Sequence, residues 1–317
     1  MVNDCAYIGE TLTKYFRPEI SVLHLKRSRG LWDKTFGLAW KILRTKGDVY
    51  HVHYLLQDCY LASILRKRPL IGHAHGSDLT TTLNRFALGR IVNSNLKRCD
   101  KILVSTPDLL EPAHKYRADA EYVPNPVDTD LFFPKPLRPR EGKLKVLVAS
   151  EADWTVKGTD IIIQALARQK INVEVSIISY GKDLEKTLLL AKSLRLDVKM
   201  LPKIPHQRLN NYYWDSDVVI GQGRFNAGVL GLVSLEAIAC GRPAIANVSS
   251  KYGAYKVFPM KDANTVERIA AAIEDVSPRL WEAQFKYLQQ NHDPNSIAKR
   301  VADIYEEVSS KNPGSQK

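Results

Sequence analysis

Three short stretches hold residue types whose spacing can do chemistry. In NAGVLGLVSLEAIACGRP (226–243) a single carboxylate, Glu236, sits among small and apolar residues. On a helix its neighbours three and four positions away are Leu232, Val233, Ala239 and Cys240. A charge on such a stripe is costly unless a cation or a set of donors meets it. Gly228 and Gly231 precede this helix, and Gly241 with Pro243 stops it. Amides ahead of a helix start form a concave donor set suited to phosphate or sugar oxygens, and Glu236 lies one turn in, where it can accept from hydroxyl groups.

The second stretch is DWTVKGTD (153–160). Gly158 allows close backbone approach, Thr159 or Asp160 can cap the next helix, and Lys157 stands where an anion meets a helix N-terminus. An exposed loop lysine is the plain alternative. In the third, GHAHGSD (72–78), His73 and His75 alternate along a strand and share one face. Gly76 permits a sharp turn, and Ser77 or Asp78 can cap the segment after it. A histidine at the carboxyl end of a strand can donate to an anion or leaving oxygen near neutral pH, or it can be structural. HVH (51–53) repeats the pattern more weakly. No Cys, Asp or Glu completes either pair at a metal-ligand spacing, so no metal is expected.

The elements that position these residues alternate. Runs at 20–25, 49–53, 70–74, 102–105 and 120–123 predict strands, separated by segments long enough for crossover helices. The stretch NPVDTDLFFPKPLRPREGK (125–143), with four prolines, is the best linker. The pattern then restarts, with strands at 145–149, 173–179, 197–201, 217–220 and 244–246. Helices are expected near 159–169, 183–194, 206–214, 265–275 and 294–309. This alternation predicts two α/β doubly wound domains, over 1–135 and 144–317 with a linker at 136–143, and ligands are expected in the crevice at the carboxyl ends of their strands. NDCAYIGETLTKYF reads as a helix capped by Asn3 or Asp4. No strand precedes it, so the first strand of the amino-terminal domain is expected to be missing.

The 317 residues carry a net charge of +12, with 22 basic against 14 acidic residues in the first 140. Such an excess suits an anionic partner: a phosphorylated substrate, a membrane face or nucleic acid. No recognition-helix, zinc-finger or RNP-type motif accompanies it, so nucleic acid is not the expected partner. No apolar run reaches the roughly 18–20 residues of a membrane span. The four cysteines are scattered, no export leader is evident, and a reducing cytoplasm is expected.

Taken in order, DVYHVH, HAHGSD, CDKILVST, VPNPVDTDLFFP, VKGTDIIIQAL, KIPHQRLNNYYWDSDVVIG and GLVSLEAIACGRPAI resemble the retaining glycosyltransferases of family 4. That resemblance implies the GT-B fold of two facing Rossmann-like domains, with the carboxyl-terminal helix packing back towards the amino-terminal domain. It implies transfer of a sugar from a nucleoside-diphosphate sugar, used as a co-substrate without a metal cofactor. Glu236 matches the second glutamate of the family's E-x7-E pattern, which holds the donor ribose. Leu230, Gly231 and Leu232 match the loop that contacts the donor sugar and diphosphate, and Lys157 matches the diphosphate-binding lysine. His75 matches the histidine near the transferring sugar, with Ser77 and Asp78 beside it, and Ile204 lies in the segment that contacts the nucleobase.

Two positions depart from the family pattern. Gly228 stands where the first glutamate is usual, and Glu151 where an arginine commonly partners the lysine, so Glu151 is expected to point elsewhere. The resemblance implies a glycosyltransferase acting on a glycan or other acceptor, and the basic amino-terminal half suits a lipid-linked or otherwise anionic one, with peripheral contact at the inner membrane face. The alternative is a catalytically weakened relative that binds nucleotide or glycan as a partner protein. An epimerase sharing the fold ranks below these. An oxidoreductase ranks lower still, because no strand is followed by G-x-G-x-x-G.

Overall fold

The computed structural model describes residues 1–26, 36–136, 142–223, 228–260 and 262–311. Most of the linker expected at 136–143, together with Asn226 and Ala227, lies outside the described residues. The chain divides into two compact units, Met1–Pro126 with His292–Lys317, and Val127–Asn291.

The first unit opens with α1 (Ile8–Tyr15) and α2 (Leu38–Arg44). It continues through β1 (Tyr50–His53), α3 (Gln57–Ile64), β2 (Leu70–Ala74), α4 (Phe86–Arg98), β3 (Lys101–Val104), α5 (Leu110–His114) and β4 (Glu121–Tyr122). The four strands pair in parallel in chain order. Every residue of β1 and β2 is buried, as a parallel sheet covered by helices requires.

A single residue stands in the place of the first strand. Val2 bridges Leu25 on one side and Val52 on the other. Its amide donates to His51 O at 2.8 Å, and its carbonyl accepts from His53 N at 3.1 Å. Of the strand predicted at 20–25, Leu25 alone forms a bridge among the described residues. The winding direction therefore switches between Val2 and β1. Helix α1 starts later than its sequence suggests, behind a left-handed Tyr7 (φ 67°). Asp4 still serves that start, its carboxylate accepting from Gly9 N at 2.7 Å and Glu10 N at 3.1 Å.

The second unit runs β5 (Leu144–Val148), α6 (Thr159–Ala167), β6 (Val173–Ile178), α7 (Leu184–Ser193), β7 (Val198–Leu201), α8 (Leu209–Trp214) and β8 (Val218–Gln222). It closes with α9 (Leu232–Ala239), β9 (Ala244–Ala246), α10 (Val266–Glu274) and α11 (Pro278–Asn291). The parallel sheet has the order β7-β6-β5-β8-β9, so its winding reverses between β5 and β8. Helix α11 is absent from the sequence expectations. Its buried Gln284 clasps β9, donating to Ala244 O at 2.8 Å and accepting from Ala244 N at 2.9 Å.

Helix α12 (Pro294–Ser310), capped by Asp293 through Ser296 N at 2.8 Å, belongs to the first unit and packs on α1. No helix among the described residues is long and apolar enough to cross a membrane.

Candidate functional site

In an open α/β sheet, ligands gather beyond the carboxyl ends of the strands where the winding reverses. In the second unit that point is flanked by the loops after β5 and β8. Asp153 organises the first loop: one carboxylate oxygen accepts from Thr155 N and Val156 N, both at 2.8 Å, and the other pairs with Lys182 Nζ at 2.9 Å. Gly158 (φ 65°) caps α6 in the left-handed region, which glycine enters without a Cβ penalty. Thr159, one of the two expected caps, is instead the first helical residue, and its hydroxyl accepts from Asp153 N at 3.1 Å.

Lys157 O accepts from Gly223 N at 2.8 Å, which ties this loop to the end of β8. Burial lowers the proton affinity of the Lys157 ammonium, while the charges of Glu151 and Asp153 pull it back up. Glu151 is the carboxylate expected to point elsewhere. Its charge reaches both Lys157 and the Tyr180 hydroxyl, which burial, then Glu151 and Glu236, hold above its usual range.

Glu236 projects from α9 and is 5% exposed. His206 Nε2 lies 2.7 Å from one of its oxygens, and Tyr213 OH donates to the other at 3.0 Å. Burial and the adjacent carboxylate hold the Tyr213 phenol well above its ordinary range, so it remains a donor. The His206 ring stands edge-on to Phe132, with centroids 5.2 Å apart. The sequence points to ribose hydroxyls as the partners of this charge, yet the protein supplies a partner for each oxygen. A carboxylate offers about four acceptor directions, so capacity for ligand hydroxyls remains.

Of the expected loop amides, that of Leu230 is already committed, donating to Tyr255 OH at 3.3 Å. Gly231 caps α9 in an extended conformation; Ser234 N and Leu235 N donate to its carbonyl at 3.0 and 3.2 Å, which leaves the amides of Leu232 and Val233 as the first-turn donors that the helix does not satisfy itself. Gly228 is left-handed (φ 60°), and its carbonyl accepts from Ser249 N at 2.8 Å. A Cβ built there would lie 2.6 Å from Ser249 Cβ. The position where the family pattern has a glutamate is thus shaped for glycine. Ile204 is half-buried against the core, between β7 and the short turn His206–Arg208.

In the first unit, the half-buried His75 sits just past β2, its Nε2 2.9 Å from His53 Nδ1. Burial, reinforced by His73, His53 and His51, keeps it neutral well below the usual histidine range. Asp78 is fully buried and does not present itself to a substrate. Its oxygens accept from the amides of Leu55 (3.1 Å), His75 (3.2 Å), Gly76 (3.0 Å) and Leu79 (3.2 Å), which makes it the staple of the loop. Ser77 is exposed and makes no side-chain cap.

His206, Tyr213, Tyr180 and Asp153 are the site residues that sequence reasoning missed. One signal was present: His206 and Tyr213 are seven residues apart, two turns of the helix expected near 206–214, although His206 stands in the short turn ahead of α8.

The description Glycosyltransferase Family 4 matches residues 9–131, and Glycosyl transferases group 1 matches residues 131–277. The chain belongs to the family 4, group 1 glycosyltransferases. This family 4 chain is 22% identical over 214 residues to the N-acetyl-alpha-D-glucosaminyl L-malate synthase of Bacillus anthracis, covering 62% of its own length. The alignment spans 56% of the relative, little more than half of it. Among solved structures it resembles sucrose-phosphate synthase from Thermosynechococcus elongatus, with TM-score 0.71 and 17% identity over 96% of this chain and 92% of that one. It also resembles Anabaena HepE in complex with UDP-glucose, with TM-score 0.71 and 17% identity over 94% and 88%. These likenesses place the family 4 chain in the GT-B fold class.

Proposed function

We propose that this protein is a retaining glycosyltransferase that moves a sugar from a nucleoside-diphosphate sugar to an acceptor bound by the first unit. The observation that carries the reading is the tie between Lys157 and Gly223, which sets a lysine beside the winding switch of a unit that also holds Glu236 and the start of α9. Lys157 and the α9 amides meet the diphosphate charge, Glu236 accepts from the ribose hydroxyls, and the chain around Ile204 faces the base. As the bond between the anomeric carbon and the bridging phosphate oxygen breaks, its electron pair leaves on that oxygen with the nucleoside diphosphate. The acceptor oxygen bonds on the same face and passes its proton to a phosphate oxygen, and His75 supports the sugar or its phosphate. This scheme uses no divalent metal. The ligand in the HepE structure favours a UDP-linked sugar.

The basic first unit suits a lipid-linked or anionic acceptor at a membrane face on the cytoplasmic side. A non-catalytic reading, a nucleotide- or glycan-binding partner protein, is favoured by two observations: the glycine-shaped position 228 and the charge of Glu151 beside Lys157.

Thermal unfolding with UDP, GDP and ADP, then with their sugars, tests both. A ligand at 100 times its Kd stabilises by about 2.7 kcal/mol, which shifts the midpoint visibly. No shift with any nucleotide at millimolar concentration refutes the transferase and the nucleotide-binding readings. Binding without donor hydrolysis or transfer selects the partner protein.

A further inference from the structure

The two histidine pairs that look incomplete in the sequence become one block in the fold. His51 and His53 alternate on β1, His73 lies on β2 with His75 just past its end, and the register sets His53 beside His73. The rings of His51, His53 and His73 stack with centroids 4.7 to 5.5 Å apart, and none is more than 1% exposed. The buried Nε2 atoms of His53 and His73 have no hydrogen-bond partner among the described residues. An orphaned buried polar atom costs about 1–3 kcal/mol, and a ligand on His53 Nε2 would remove one of these two.

We propose that His51, His53 and His73 form a tris-histidine site for a borderline divalent transition metal, zinc first among them. One ring nitrogen of each lies within 4.8 Å of the other two. His51 Nε2 and His73 Nδ1 are 3.2 Å apart, a span that two metal–nitrogen bonds of about 2.0–2.1 Å make at roughly 100°. Tetrahedral bonds of that length space their nitrogens by about 3.3 Å, so the third ring, within 4.8 Å of the others, closes the site with a shift of up to about 1.5 Å. Tyr305 OH, on α12, lies 2.8 Å from His51 Nδ1. With that nitrogen protonated and donating to the hydroxyl, Nε2 is the nitrogen left for the metal, the arrangement by which an outer partner fixes a ligand's tautomer.

Burial keeps all three imidazoles neutral, the form a metal binds. A donor set of imidazoles without carboxylate or carbonyl oxygens disfavours calcium and magnesium, and zinc takes three nitrogens with water in the fourth position. A cavity of about 620 Å³ lined by Met1, Val2, Tyr50, His51, Tyr305 and Glu306 borders the block at His51, the side from which an ion would enter. The bound metal staples β1 to β2 and, through Tyr305, both to α12.

The test uses the full chain stripped by a chelator and titrated with Co²⁺. One equivalent should bind with the visible bands of a tetrahedral nitrogen site, be displaced by Zn²⁺, and raise the unfolding temperature. His51→Gln, His53→Gln and His73→Gln should each weaken binding at least tenfold, and Tyr305→Phe by about 10- to 100-fold. The exposed His114→Gln should bind as the parent does. If the buried variants do not fold, X-ray absorption on the zinc-loaded parent decides by counting imidazole ligands. Three support the site, and fewer than three overturn it. Absence of saturable binding, or unchanged binding in folded His73→Gln, overturns it as well.

Discussion

His206 Nε2 and Glu236 Oε1 meet at 2.7 Å across 30 residues of chain, on a carboxylate that is 5% exposed. With Tyr213 OH on the other oxygen, the charge that looks solitary in the sequence is held before any ligand arrives. A carboxylate fixed in this way presents its remaining acceptor directions at a set angle, so a ribose binds without first ordering the side chain.

The trio of His206, Tyr213 and Glu236 should therefore behave as one unit. Tyr213→Phe keeps the ring and removes a buried donor, with an expected loss of about 1–3 kcal/mol in urea unfolding. Combined with Glu236→Gln in a double-mutant cycle, it should show a coupling of about 0.5–3 kcal/mol. Glu236→Gln alone should weaken nucleotide binding in the thermal-shift assay. Strict additivity would mean that the short contacts carry no energy.

Restoring the family's glutamate at 228 should not restore anything. Gly228→Glu forces a side chain into a left-handed backbone and a Cβ against Ser249 Cβ at 2.6 Å, for an expected loss of about 1–3 kcal/mol by thermal unfolding. Adding Ser249→Gly should recover part of that loss. A single variant as stable as the parent would show that this loop rearranges freely.

Glu151 and Lys157 give a prediction in the opposite direction. If the lysine binds the diphosphate, the nearby carboxylate repels the same ligand. Glu151→Gln should tighten UDP binding several-fold by calorimetry, more at low salt than at high salt. Lys157→Ala should weaken it. Weaker binding in Glu151→Gln would place the diphosphate away from Lys157.

The sheet of the second unit was legible because β5 (LKVLV) and β8 (VVIGQ) are short, mostly apolar, valine-bearing runs between polar segments. Helix α11 was not, since its buried face includes Gln284, whose burial makes sense only beside the backbone of β9. Glu236 announced a site, but its partners lie 23 and 30 residues away, a relation that spacing alone cannot show. Asp78 misled for a similar reason. A carboxylate after HAHG reads as a ligand group until Leu55 N, from another loop, is seen to occupy it. The histidine pairs were visible by their alternation, and the strand register that joins them was not.

His292 supplies a pH dependence whose sign can be worked out. Its ring is buried, and Nδ1 lies 2.8 Å from Asn125 O, to which it donates. Burial lowers its pKa to about 4, against 6.5 for the exposed group. Between those values the unfolded chain holds a proton that the folded chain does not, so the stabilisation is complete above pH 6.5 and declines as pH falls towards 4. At about 1.4 kcal/mol per pH unit, the contribution lost by pH 4 is about 3 kcal/mol. Other buried histidines titrate in the same direction, so the measurement is a difference. Urea unfolding of the parent and of His292→Asn, which keeps a donor near Asn125 but cannot take up the proton, is compared from pH 7 to 4. The stability gap between them should change by about 1 kcal/mol by pH 5.5, in favour of the variant. A gap that stays constant across that range would mean that His292 is as readily protonated in the folded chain as in the unfolded one.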